Sequence, residues 1–151
     1  MKQVNHFSKA VLLAAIFFLT VNTSKAQSSS DPYTNGSVWT MQMINVKPGM
    51  MKEYTTSLKN TVKLVNDEAV KQGLILSYKI LSGASANPDD FNFVILTEYK
   101  NMAAMEGKED QWDAIRAKIM GNDDAQKQIM QTRTAQRDIY GSKMMREIIL
   151  K

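Results

Sequence analysis

No cysteine occurs in the 151 residues, and the one histidine, His6, stands near the start. Lys2 and Lys9 flank an opening ahead of the apolar run Ala10–Val21, and Ser24-Lys25-Ala26 supplies the small-x-small pattern after which signal peptidase cuts. Residues 1–26 therefore read as a signal peptide that is removed, and His6 leaves with it. The expected mature chain has neither imidazole nor thiol. That excludes Ser-His-Asp and Cys-His nucleophiles, zinc held by imidazole or thiolate, and haem ligated by His or Cys. It also excludes disulfides and lipid attachment at a cut-site cysteine, so packing alone must hold the fold.

Long apolar runs are missing too. Ala10–Val21 is too short to be a comfortable permanent span, and no second run follows. The expectation is a soluble exported protein, periplasmic or secreted, with no stable membrane anchor. Charge of one sign is equally scarce. The whole chain carries +4, but Lys2, Lys9 and Lys25 leave with the signal, which takes the mature chain to +1. No field of that size argues for nucleic acid or anionic lipid as a partner.

What is present begins with residues 27–36 (QSSSDPYTNG), which lack apolar periodicity and read as a flexible linker to one domain, 37–151. Ser37–Val46 has the β-branched and aromatic content of a strand, with Trp39, Met41 and Met43 alternating against Val38, Ile44 and Val46. Apolar weight on both sides indicates a central strand covered twice. Lys47-Pro48-Gly49 ends it. Met51, Tyr54, Leu58, Val62, Val65 and Ala69 then recur at helical steps, and Gly73 fits the position just past a helix end. One unbroken helix is predicted from Met51 to that glycine.

Leu74–Ser82 and Phe91–Tyr99 read as a hairpin about SGASANPDD. Their pairing sends Leu74, Leu76, Tyr78, Ile80, Phe93, Ile95, Thr97 and Tyr99 toward the helices. Ile75, Ser77, Lys79, Asn92, Val94, Leu96 and Glu98 take the other face, a mixed one. Lys100–Met120 is helical in two pieces, weakened at Gly107. Asn122 and Asp123 offer caps to a polar helix through about Ile139, which Gly141 ends, and Lys143–Leu150 closes the chain as a strand.

The order is β–α–β–β–α(α)–β, an α+β, ferredoxin-like plan with an extra helix in its C-terminal half and a four-stranded antiparallel sheet. The first strand running through Val46-Lys47-Pro48-Gly49 into an amphipathic helix, then Phe93–Tyr99 with a helix opening at Asn101 and a terminal strand, resembles the dimeric α/β-barrel superfamily. Its antibiotic-biosynthesis-monooxygenase-like and NIPSNAP-like members are the points of likeness. The resemblance implies a homodimer in which two sheets face each other and enclose a barrel. A lone chain would then leave Val38, Ile44, Val94 and Leu96 exposed.

In such a barrel, Trp39, Gln42, Ser77, Lys79, Asn92 and Glu98 are the candidate ligand-binding residues, polar groups set in an apolar lining for a small, largely apolar molecule. A structural Lys79–Glu98 pair is the competing explanation. The resemblance also implies cofactor-independent oxygenation, a chemistry needing only a pocket and a modest base. The haem-degrading members that the resemblance includes rely on a histidine ligand in the second-helix region; Lys100–Met120 has none, a departure that speaks against haem degradation here. No cofactor and no metal are expected: the methionines read as adaptable packing rather than Cu(I) ligands, and Asp89-Asp90 and Asp123-Asp124 as a turn and a helix start rather than calcium ligands. No catalytic residue is assigned. The alternative from another class is a non-enzymatic, stress-associated or protein-interaction module docking through the polar helix.

Overall fold

The computed structural model describes residues 31–151. The segment read as a signal peptide, 1–26, and the first residues of the segment read as a linker lie outside the described residues. The first strand, β1, spans Tyr33–Val46, so the end of the segment read as a linker belongs to the sheet. Gly49, at φ 80°, completes the turn that follows, with Met50 N–H donating to Lys47 O at 3.0 Å.

The predicted single helix is two, α1 (Met51–Lys59) and α2 (Val62–Lys71). Neither proline nor glycine breaks it. Thr61 Oγ1 instead donates to Ser57 O at 2.5 Å, taking a carbonyl the helix would have used. The guanidinium of Arg133 locks the break, donating to Ser57 Oγ at 3.1 Å and to Thr61 Oγ1. Side-chain competition for backbone carbonyls is a known cause of helix kinks, but nothing in the apolar period announces it. Gly73 then takes φ 71°, as expected of a residue just past a helix end, and Leu74 N–H reaches back to Ala69 O.

Strand β2 covers Ser77–Ser82 and β3 covers Phe93–Tyr99. A short 3-10 turn, Met102–Met105, precedes α3 (Glu109–Met120) and α4 (Asp123–Gln136), and β4 runs over Arg137–Leu150. Asn122 caps α4 as expected, accepting from Ala125 N–H at 3.1 Å. The helix stops earlier than predicted, however, and the strand starts earlier. Arg137 is pulled into the core beside Tyr54, and Lys47 N–H takes the Gln136 carbonyl at 2.9 Å, so the chain turns directly from helix into strand. Gly141 lies inside β4, opposite Met43 and next to a bulge.

The sheet order is β2-β3-β1-β4, all antiparallel, which is the four-stranded ferredoxin-like arrangement. Two buried clusters fill one side of it. Ile44, Val46, Tyr54, Leu58 and Phe93 form the first. Val65, Ala69, Leu74, Ile75 and Ile115 form the second. Tyr78, Ile80, Phe93, Ile95, Thr97 and Tyr99 face the helices as the hairpin pattern predicted. Of the four residues expected on the exposed patch, Val94 keeps to the face opposite the helices but is buried, at 8%, and Val38 and Ile44 do not lie on that patch at all. They are buried in the helix-covered core, 1% and 0% exposed. Ile75 is likewise in that core, at 2%.

Candidate functional site

Strand alternation sends the remaining residues to the opposite face. Register sets them in three rows. Met145, Trp39, Glu98 and Ser77 are cross-strand neighbours in the first. Lys143, Met41, Leu96 and Lys79 make the second, and Gly141, Met43, Val94 and Leu81 the third. Both buried clusters are built from the other face, and none of the helices contributes a residue to these rows. Apolar side chains thus occupy a sheet surface that the chain's own described helices do not cover.

The polar groups on this face are held rather than loose. Ser77 Oγ donates to Glu98 Oε2 at 2.5 Å. Lys79 Nζ stands 5.5 Å from the centre of the Trp39 ring, a cation–π contact made across β3. Lys79 therefore pairs with an aromatic face, not with Glu98. Around them lies an open hollow of 340 Å³ walled by Trp39, Lys79, Leu96, Met145, Arg146 and Glu147. Its size is at the small end for ligand sites.

Four of the six candidate ligand-binding residues meet here: Trp39, Ser77, Lys79 and Glu98. The other two do not. Gln42 pairs with Ile95 and Ser142 and shares the face of Val38 and Ile44, opposite to that of Trp39. Asn92 clamps the end of β1: its Oδ1 accepts from Val46 N–H at 2.8 Å and its Nδ2 donates to Val46 O at 2.9 Å. Sequence reasoning missed the β4 contribution, Met145 and Glu147. Placing the strand start at Lys143 gave no register for them, although their alternation is visible in KMMREIIL.

A larger hollow, 470 Å³, runs along the polar helix, but all its lining residues (Asp123, Gln126, Lys127, Met130, Gln131, Thr134) belong to α4. A trough walled by one helix encloses nothing. The inward side of α4 and the start of β4 carry more chemistry. Arg133 and Arg137 are 4% and 7% exposed, and neither contacts a carboxylate among the described residues. Neutral acceptors hold them: Ser57 and Thr61 for Arg133, and the Tyr54 hydroxyl, at 2.6 Å, for Arg137. Burial, then the charge of Arg137, pulls the Arg133 pKa down. Burial raises that of Tyr54 against the opposing pull of Arg137.

A third polar cluster gives a pH dependence. Tyr78 OH donates to Asp67 Oδ1 at 2.7 Å, and Lys63 Nζ to Asp67 Oδ2 at 2.5 Å. Burial, then the bond to Asp67, pushes Tyr78 up from 10.0 to about 12. Between those two values the unfolded chain loses its tyrosine proton while the folded chain keeps it, so stability falls. A melting-temperature series across that range is expected to decline less steeply for Tyr78→Phe than for the wild type. Some decline remains in the variant, because burial also raises Tyr54 and Tyr99. Asp67 works in the opposite direction. Its pKa is lowered, first by Lys63 and then by Tyr78, so its contribution is present above 3.8 and is lost as pH falls through the depressed value.

Among the described residues no group of three or more potential His, Cys, Asp or Glu ligands could hold a metal. Nor is any described helix long and apolar enough to cross a membrane. No family model matches the chain, and no curated protein matches it. Some solved structures are similar to it at low identity. A NIPSNAP family protein of unknown function from Agrobacterium tumefaciens is similar at TM-score 0.47 and 8% identity, over 77% of this chain and 90% of that one. A dimeric ferredoxin-like protein from an uncultured marine organism is similar at TM-score 0.43 and 15% identity, over 78% of this chain and 96% of that one. HapK from Hahella chejuensis is similar at TM-score 0.43 and 11% identity, over 73% and 91%. At these identities the likeness concerns the backbone alone.

Proposed function

We propose that the mature chain is an exported binding protein in which two copies close their open sheet faces over a small, largely apolar molecule. One observation carries the reading: the face bearing Trp39, Met41, Met43, Leu96 and Met145 has no cover from the described helices of its own chain. A symmetric pair of such faces buries both patches at once. The hollow beside Lys79 then becomes the wall of a closed space. Trp39 supplies a flat apolar surface for an aromatic guest, and Lys79 with the Ser77–Glu98 pair supplies donors and an acceptor to orient its polar end. Catalysis is a further step. Oxygen uptake with phenolic or quinol substrates, abolished by Lys79→Ala or Glu98→Ala, is the readout that would extend binding to oxygenation.

Binding is tested by the melting temperature of the mature chain with a phenolic probe, 2-naphthol. Ligand at a hundred times its Kd adds about 2.7 kcal/mol to the stability of the bound fold. The resulting rise in melting temperature is expected to shrink severalfold in Trp39→Ala, Lys79→Ala and Glu98→Ala. An equal rise in all four proteins contradicts a site on this face.

A further inference from the structure

A second hollow opens on the opposite, helix-covered side, where the break between α1 and α2 lies beside the edge strand β2. It measures 360 Å³, and four elements wall it: α1 (Thr55, Leu58, Lys59), α2 (Lys63), β2 (Tyr78, Ile80, Ser82) and β3 (Phe93). Leu58 and Phe93 are each 2% exposed and form an apolar floor, whereas Ile80, at 37%, stands open at the side. Unlike the trough on α4, this cleft has walls on more than one element and a dry base.

Its charge is of one sign. No aspartate or glutamate lines it, and two lysines do. Lys63 is already engaged with Asp67, whose second oxygen is taken by Tyr78 OH, so that carboxylate is satisfied from both sides. Lys59 makes no ion pair among the described residues. An apolar floor with one uncommitted cation at the rim complements a molecule with an apolar tail and a single negative head.

We infer that this cleft binds a free, monomeric carboxylate with a short apolar tail, the chemistry of a medium-chain fatty acid. The tail lies on Leu58, Ile80 and Phe93, and the carboxylate accepts from Lys59 Nζ. The cleft lies across the sheet from the open face, so pairing of two open faces leaves it accessible, and the inference stands or falls separately from that pairing.

The test is a titration of the ¹⁵N-labelled mature chain with octanoate below its micelle concentration, with octanol and anionic phospholipid vesicles as parallel arms. Saturable shifts are expected at the amides of residues 58–63 and 78–82, while those of Trp39 and Leu96 stay unmoved. Octanol is expected to bind about tenfold more weakly, and so is octanoate to Lys59→Gln, the loss of one charge-assisted hydrogen bond. Ile80→Asp should abolish binding by replacing the apolar wall on which the tail lies with a charged group. Unchanged affinity in Lys59→Gln, equal affinity for octanol, or shifts confined to Trp39 and Leu96 would each overturn the assignment. So would a response to vesicles with none to octanoate. Lys59 is exposed in the last turn of α1, so its replacement leaves the fold intact and the result readable.

Discussion

Replacing Tyr54 by alanine is expected to remove about 4 kcal/mol of stability, the usual cost of truncating a fully buried aromatic ring. Tyr54 is 0% exposed and joins three parts of the molecule. Its ring meets Phe93 edge-on at 5.3 Å, which ties α1 to β3. Its hydroxyl accepts from Arg137 at 2.6 Å, and the same guanidinium carbon lies 5.3 Å from the ring centre, which ties α1 to the start of β4. Alanine leaves a cavity and also a buried cation without its acceptor, so the loss exceeds what apolar area alone predicts. Domains of this size are held by roughly 5–15 kcal/mol, so the variant keeps its fold with a much reduced margin and unfolds at a markedly lower urea concentration. Tyr54→Phe keeps the ring and loses only the hydroxyl, at a cost of about 1–2 kcal/mol. Urea denaturation of residues 27–151 separates the two. An alanine variant within about 1 kcal/mol of the wild type would mean that the Tyr54–Phe93–Arg137 junction does not hold the fold.

The second large effect is on assembly. Leu96 sits mid-face between Met41 and Lys79 on the open side of the sheet. Leu96→Glu places a charge at the centre of a surface that, in a paired assembly, excludes water, and does so twice across a two-fold axis. The expected result in sedimentation is loss of the pair at concentrations where the wild type remains associated. The folded monomer should persist, because Leu96 is not in either core cluster. Thr97→Glu, one residue along on the helix-covered face, is expected to act on stability instead. If Leu96→Glu left association unchanged, the open face would not be the contact.

Most of the architecture was legible in the pattern of residues. The change from strand to helical period at Lys47-Pro48-Gly49, the hairpin alternation from Tyr78 to Tyr99 and the cap at Asn122 all reflect local physics, and each appears in the structure. The break at Asn60–Thr61 was not legible, because a threonine that competes for a backbone carbonyl looks like any other helix residue, and the guanidinium that locks the break arrives from a residue 72 positions along the chain. The start of β4 was missed for a related reason: Arg137 reads as a polar helix residue until Tyr54 is there to receive it.

The site was half legible for a different reason. Alternation gives each strand two faces, but not which face the helices cover. Gln42 stands one residue out of phase with Trp39, and Val38 and Ile44 belong to the core and not to the open face. The pairing Trp39↔Glu98↔Ser77 settles the phase, and it rests on hydrogen bonds between strands far apart in sequence. Asn92 looked like a pocket residue, but its amide is committed to both backbone groups of Val46.

The claim on which the rest depends is that a second copy of this chain covers the open face. Light scattering on residues 27–151 at micromolar concentration measures it directly. The account predicts twice the mass of one copy of residues 27–151; a homogeneous species of single mass would contradict it.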